Sequence, residues 1–171
     1  LRAEIFVLPG ILNGETAVKQ KFEVKVNPDA KETRVEMSGA LNEHAELPDL
    51  RMNLPIHINL KNLTMLNSLG TKNWVTWARR FRPPVKIHLE QCPPVFVKSF
   101  SMVKGFLTDT MQVDSFFVPF YSTATGERKD FLVVRGEHFD KGAIKVPELM
   151  DSKGNVMESD VSSNYFSFLK P

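Results

Sequence analysis

The stretch "LTMLNSLGTKNW", Leu63–Trp74, joins an apolar run to an aromatic one through a polar corner at Asn67-Ser68. Upstream, "LPIHINLKNL" sets Ile56, Ile58 and Leu60 on one side of an extended chain and His57 and Asn59 on the other. This period-two alternation predicts a strand with one buried face. Downstream, Trp74, Trp77, Ala78 and Phe81 recur at i, i+3, i+4 and i+7, with Lys72, Arg79 and Arg80 on other faces. That stripe predicts a helix over Thr71–Phe81, ended by Pro83-Pro84. A strand running into a helix is the start of a crossover unit, and the turn at a strand's carboxyl end is where α/β sheets usually bind ligands and partners. Asn67 or Ser68 can cap the helix by accepting one of its free N–H groups. A phosphate on Ser68 is favoured by the same donors. The residues alone leave both readings open.

Outward from this corner the pattern continues. "KQKFEVKV" places Phe22, Val24 and Val26 on one side, "NPDAKE" is a turn, and "TRVEMSG" alternates again, so the pair predicts a hairpin. "LNEHAELPDL" reads as a connector with a short helical turn. "VKIHLEQC" sets Val85, Ile87 and Leu89 against Lys86, His88 and Glu90. "PPVFVKSFSMVKGF" reads as a helix with Pro in its first turn and Gly105 past its end, its inner face Val95, Phe96, Phe100 and Val103. "VDSFFVPFY" predicts one further strand. The expected class is α/β: a mixed sheet with helices packed on it over residues 31–121. A strand and loop extension, including "AEIFVLPGILNG", precedes it over 1–30. A small β appendage follows over 122–171, docked by Tyr165, Phe166, Phe168 and Leu169.

Composition bounds the function. The 171 residues suit one domain, or one with a small appendage, and 42% hydrophobic residues suffice for a core. A net charge of +2 gives no bulk argument for nucleic acid or membrane, and no apolar run is long enough to span a bilayer. Cys92 is the single cysteine, which excludes a disulfide framework or cysteine-based zinc site within the chain and suits a reducing, cytoplasmic setting. The chain begins at Leu1 rather than an initiator methionine and reads as a piece of a longer protein.

Reactive groups are sparse. Cys92 stands at a helix start, where a thiol can be activated, but the sequence sets no histidine beside it; it reads as structural. His57 and His88 can meet on one sheet face, more plausibly as a polar surface than as a metal site. Between residues 72 and 104, Lys72, Arg79, Arg80, Arg82, Lys86, Lys98 and Lys104 face only Glu90. That excess is either a solvated helix face or a draw for an anionic partner. Without exposed aromatics among the cations it makes a poor case for nucleic acid. No phosphate loop or triad is present, and paired carboxylates such as Glu43/Glu46 and Asp49 sit in a connector with no hydrophobic pocket to split their pKa values, so neither enzymatic activity nor a cofactor is expected.

The segments "RVEMSGALNE", "IHINLKNLTMLNSLGTKNWV" and "KIHLEQCPPVFVKSF" give residues from about Thr33 to Tyr121 a resemblance to the STAS domain family, the fold of anti-sigma factor antagonists. That family's strand–turn–helix motif reads Asp-Ser-(Ser/Thr)-Gly, and its first serine is phosphorylated by a partner kinase. The resemblance sets Ser68 on the phosphoacceptor and Gly70 on the glycine, with Asn67 replacing the aspartate and Leu69 the second hydroxyl. From Met37 to Leu169 the chain is also similar to a bacterial STAS-like subgroup with a carboxy-terminal zinc ribbon, through Trp74, "CPPVFVKSFSMVKGF", "VDSFFVPFYS" and "VMESDVSSNYFSFL". Ser122, Thr125, Met150 and Lys153 stand where that ribbon has cysteines, while Gly126 and Gly154 keep its turns. The resemblance implies a STAS-like sheet and a degenerate ribbon without metal, held by packing of "DFLVV", Ile144 and "YFSFL". It implies a non-enzymatic regulatory module whose recognition surface is Asn67, Ser68, Leu69, Gly70, Thr71, Lys72 and Arg79. The implied partner is a protein, such as a regulatory kinase or another component of a larger chain. The alternative class is a small-molecule or nucleotide sensor that binds an anion at the same turn.

Overall fold

The computed structural model describes residues 21–169, apart from 141 and 163; the strand expected in "AEIFVLPGILNG" lies outside them. The described residues up to Phe116 form one compact unit and those from Phe117 onward another. The division falls earlier than the boundary after Tyr121 expected from composition.

In the first unit, β1 (Glu23–Pro28) and β2 (Thr33–Leu41) form the expected antiparallel hairpin, Val24 opposite Met37 and Val26 opposite Val35. Asp29 holds the turn by accepting the Lys31 and Glu32 N–H groups at 2.6 and 2.8 Å. β3 (Ile56–Leu66), β4 (Ile87–Glu90) and β5 (Met111–Val113) follow in parallel, giving the order β1-β2-β3-β4-β5. Parallel neighbours need crossovers. Helices α1 (Ser68–Ala78) and α2 (Pro94–Met102) supply two. The third, from β2 to β3, is a loop, in which the expected helical turn is a single turn closed by Ala45 N–H on the Asn42 carbonyl at 3.2 Å. The architecture is mixed α/β. Strands added in sequence in one direction with right-handed crossovers put both helices on one face, and Trp74 of α1 meets Phe96 of α2 edge-on at 4.8 Å.

Beneath the helices lie Val35, Met37, Ile56, Ile58, Leu60, Ile87 and Leu89, all essentially inaccessible, as are Trp74, Phe96 and Phe106. Both indoles find partners for their N–H, which burial demands: Trp74 donates to the Phe106 carbonyl at 2.9 Å and Trp77 to that of Pro48 at 2.8 Å.

Local expectations shift in four places. α1 begins at Ser68 rather than Thr71 and ends at Ala78, because the polar corner itself forms the first turn; Phe81 is buried beyond its end. Val97 joins Phe96 and Phe100 on the inner face of α2, while Val95 and Val103 are half-buried. Val26, on the edge strand, is exposed. The strand expected over "VDSFFVPFY" breaks at Asp114, whose N–H bonds the Leu89 carbonyl at 2.8 Å, so β5 stays in the first sheet while β6 (Ser115–Tyr121) enters another.

In the second unit, β6 lies between β7 (Arg128–Val134) and β10 (Glu158–Ser159), and β8 (Phe139–Asp140) pairs with β9 (Ala143–Ile144). Phe117, Val118, Phe120, Val133, Phe139, Met157 and Tyr165 are buried, and the Tyr165 hydroxyl donates to the Phe117 carbonyl at 2.7 Å. Phe166, Phe168, Leu169 and Ile144 are half-buried. Two turns, closed by the left-handed Gly126 and Gly154 (φ 72° and 81°), meet on one carboxylate. Asp151 Oδ2 accepts the Ser122 and Thr125 hydroxyls at 2.7 and 2.8 Å and the Asn155 amide at 2.9 Å. Its Oδ1 accepts the N–H groups of Lys153 and Asn155 at 2.9 and 2.8 Å. Two of the four residues matched to ribbon cysteines, Ser122 and Thr125, therefore serve as donors to a buried anion. Met150 and Lys153 are exposed and lend it no side chain.

The Asn155 amide, with the other donors, holds the Asp151 carboxyl far below the ordinary carboxylate range. A depressed folded-state pKa gives stability that is complete above the unfolded value of about 4 and declines as pH falls from there toward the folded value. Urea unfolding followed through Val133 and Phe139 amide signals should thus be flat above about pH 5 and weaken below about pH 4. In Asp151→Asn the unit should be weaker at neutral pH and lose less on acidification. Equal acid sensitivity of the two proteins would remove Asp151 from this role.

Candidate functional site

β2 and β3 end side by side, with Leu41 opposite Leu66. Asn67 N–H donates back to the Leu41 carbonyl at 3.3 Å. With its backbone extended, Asn67 turns its Oδ1 onto the Gly70 N–H at 2.8 Å, and its carbonyl accepts the Thr71 N–H and hydroxyl at 2.8 and 2.9 Å. Asn67 is therefore the cap, and Ser68 is not. The Asn67 amide also donates to Glu43 Oε2 at 2.7 Å, tying the corner to the loop after β2. An aspartate at position 67 would set two carboxylates against each other there, which gives the asparagine a physical reason.

Released from capping, Ser68 is the first residue of α1, exposed, its hydroxyl making no hydrogen bond to a described residue. Leu69 beside it is 52% exposed. Lys72 is exposed one turn on, on the same helical face as Ser68. Gly70 is buried: a Cβ there would lie 1.9 Å from the Leu41 carbonyl oxygen. Thr71 is half-buried. Arg79 is exposed at the far end of α1, ~16 Å away at 1.5 Å per residue. Of the seven residues read as one recognition surface, Ser68, Leu69 and Lys72 are the accessible corner, Asn67, Gly70 and Thr71 build it, and Arg79 stands apart.

The sheet's other face carries a second cluster. His57 and His88 are direct partners on adjacent strands, with rings stacked at 4.5 Å and 9°. His57 Nδ1 lies 2.7 Å from Glu90 Oε1 and its Nε2 3.4 Å from Glu32; His88 Nδ1 lies 2.8 Å from Asp114 Oδ2. Sequence reasoning paired the histidines but missed Glu32, which precedes β2, and Asp114, which breaks the chain between β5 and β6; alternation with His88 was enough to find Glu90. No group of three or more metal-ligating side chains is suitably arranged among the described residues. Cys92 is fully buried, and burial raises its thiol well above the usual range, against a role as nucleophile.

Compared with protein-family models, curated proteins and solved structures, the chain matches none. Among the described residues no helix is long and apolar enough to cross a membrane.

The corner's geometry makes a contrast in thermal denaturation. Gly70→Ala forces a methyl into a backbone carbonyl and should cost on the order of 1–3 kcal/mol or more. Ser68→Ala should stay within about 0.5 kcal/mol of the parent. Equal melting of Gly70→Ala and the parent would refute the close approach of α1 to β2.

Proposed function

We propose that this chain is a non-enzymatic, cytoplasmic regulatory module of STAS-like type, which presents the start of α1 to a protein partner. One observation carries the reading: Asn67 takes the whole capping duty, so Ser68 and Leu69 stand exposed at the carboxyl edge of the sheet with no task inside the fold. An exposed leucine beside a free hydroxyl and a lysine offers a partner both apolar contact and hydrogen bonding. The parallel strands with helices on one face agree with the STAS resemblance, and the carboxylate-centred turns agree with a ribbon that has exchanged metal for hydrogen bonds.

Ser68 serves as the switch in this proposal. A phosphate adds about −1.5 to −2 charges. Helix N–H groups and Lys72 favour it, Glu43 opposes it, and docking at Leu69 changes by local electrostatics. A regulatory kinase, or another component of a larger chain, is the partner of this class.

Capture from source lysate with the parent, Ser68→Ala, Ser68→Glu and Leu69→Asp tests the proposal. A partner held by the parent and Ser68→Ala should be lost by about fivefold or more in Ser68→Glu and Leu69→Asp, the range of one disrupted contact. Indifference to all three substitutions would put the recognition surface elsewhere.

A further inference from the structure

From Asn67 to Thr108 the chain holds one carboxylate, Glu90, and it bonds His57 on the face away from the helices. The outer surface of α1 and α2 is left with cations. Arg80 pairs with Asp49, and Arg82 turns back onto the carbonyls of Arg79 and Phe81. Lys72, Arg79, Lys98 and Lys104 are exposed and form no ion pair with a described residue.

Two of these, Arg79 and Lys104, stand where the helices end. Arg79 follows α1, and its guanidinium lies against Gly105, whose added Cβ would be 3.3 Å from Nη2. Lys104 precedes Gly105. Lys98 stands four residues before Met102, on the same face of α2. Met102 itself is 74% exposed, the most of any large hydrophobic side chain among the described residues. Cations near helix carboxyl ends complement the macrodipole, which accounts for Arg79 and Lys104. It accounts for neither Lys98, inside α2, nor a methionine held in water among them.

We infer that this patch docks an acidic polypeptide segment whose carboxylates meet Lys98, Lys104 and Arg79 while an aliphatic side chain covers Met102. The inference rests on the proposed protein-binding role and adds the chemistry of the partner. Charge complementarity selects an anion, and the exposed methionine, an adaptable apolar contact, selects a side chain to cover it. The aromatic rings of this layer, Trp74, Trp77, Phe96, Phe100 and Phe106, are buried, leaving no platform for stacked bases and no interfacial anchor for a bilayer.

The probe is a fluorescein-labelled peptide repeating Glu-Asp-Leu, titrated by anisotropy against the full chain, with a Lys-for-acid peptide as control. The acidic peptide alone should bind, and affinity should fall about tenfold or more as salt rises from about 50 to about 300 mM. The double variant Lys98→Glu/Lys104→Glu should lose about tenfold or more, and Met102→Ser about threefold. Lys25→Glu/Lys61→Glu, flanking a shallow hollow on the opposite sheet face, should stay within about twofold. Failure to bind, equal losses in the two double variants, or tighter binding of single-stranded RNA or phosphatidylserine vesicles overturns the inference. Leu69→Asp separates the two readings: it should weaken partner capture at the corner by about fivefold or more and leave peptide binding unchanged.

Discussion

The carbonyl oxygen of Leu41 is the point at which sheet and helix are fixed together. It ends β2, accepts the Asn67 N–H, and occupies the space a side chain at position 70 would need. Only glycine lets α1 start so close to the strand. The contact sets the rotation of the helix. One turn after Gly70, Trp74 points inward, where it meets Phe96 and Phe106 and so locates α2. The two residues before Gly70 point the other way, which is why Ser68 and Leu69 are outside. Burial of the aromatic layer and exposure of the corner are two results of one close approach.

The two units reach stability by different means. The first has a five-stranded sheet and enough aromatic side chains to bury it. The second has two seven-residue strands, β6 and β7, three of only two residues, and two turns that must be held together. Small units of this kind need a staple beyond a hydrophobic core. Here the staple is Asp151, a charge that survives burial only because donors surround both of its oxygens. A metal ion in such a place draws anionic ligands inward; an anion draws hydroxyls, amides and N–H groups. Ser122 and Thr125 have the chemistry for the second arrangement and not the first.

Alternation and helical spacing made β2, β3, β4 and the Trp74–Trp77–Ala78 stripe legible, because burial on one face leaves a period in the sequence. What stayed hidden depended on distant partners. Asn67 and Ser68 are equally good caps by type; Glu43, brought over by the loop after β2, settles the choice. Nothing periodic marks Asp114 as a break, since its role comes from Leu89 and His88 on the neighbouring strand. The stacking of His57 on His88 requires knowing that β3 and β4 are neighbours. Asp151 carried only a weak signal, the turn-forming "DSKGN".

A net charge of +2 conceals how the charges are sorted. With both helices on one face, every outward residue of β3 and β4 belongs to the other, so Glu90 can serve only one surface. It serves the histidines, where Glu32 and Asp114 also converge, and the helical layer is left without a carboxylate of its own from Asn67 to Thr108. A partner arriving at that layer meets its local cations rather than the protein's total, because the opposite face lies about a Debye length or more away through the sheet. Near-neutrality in bulk therefore argues against non-specific attraction to polyanions, yet permits selective attraction to an anionic segment shaped for one face.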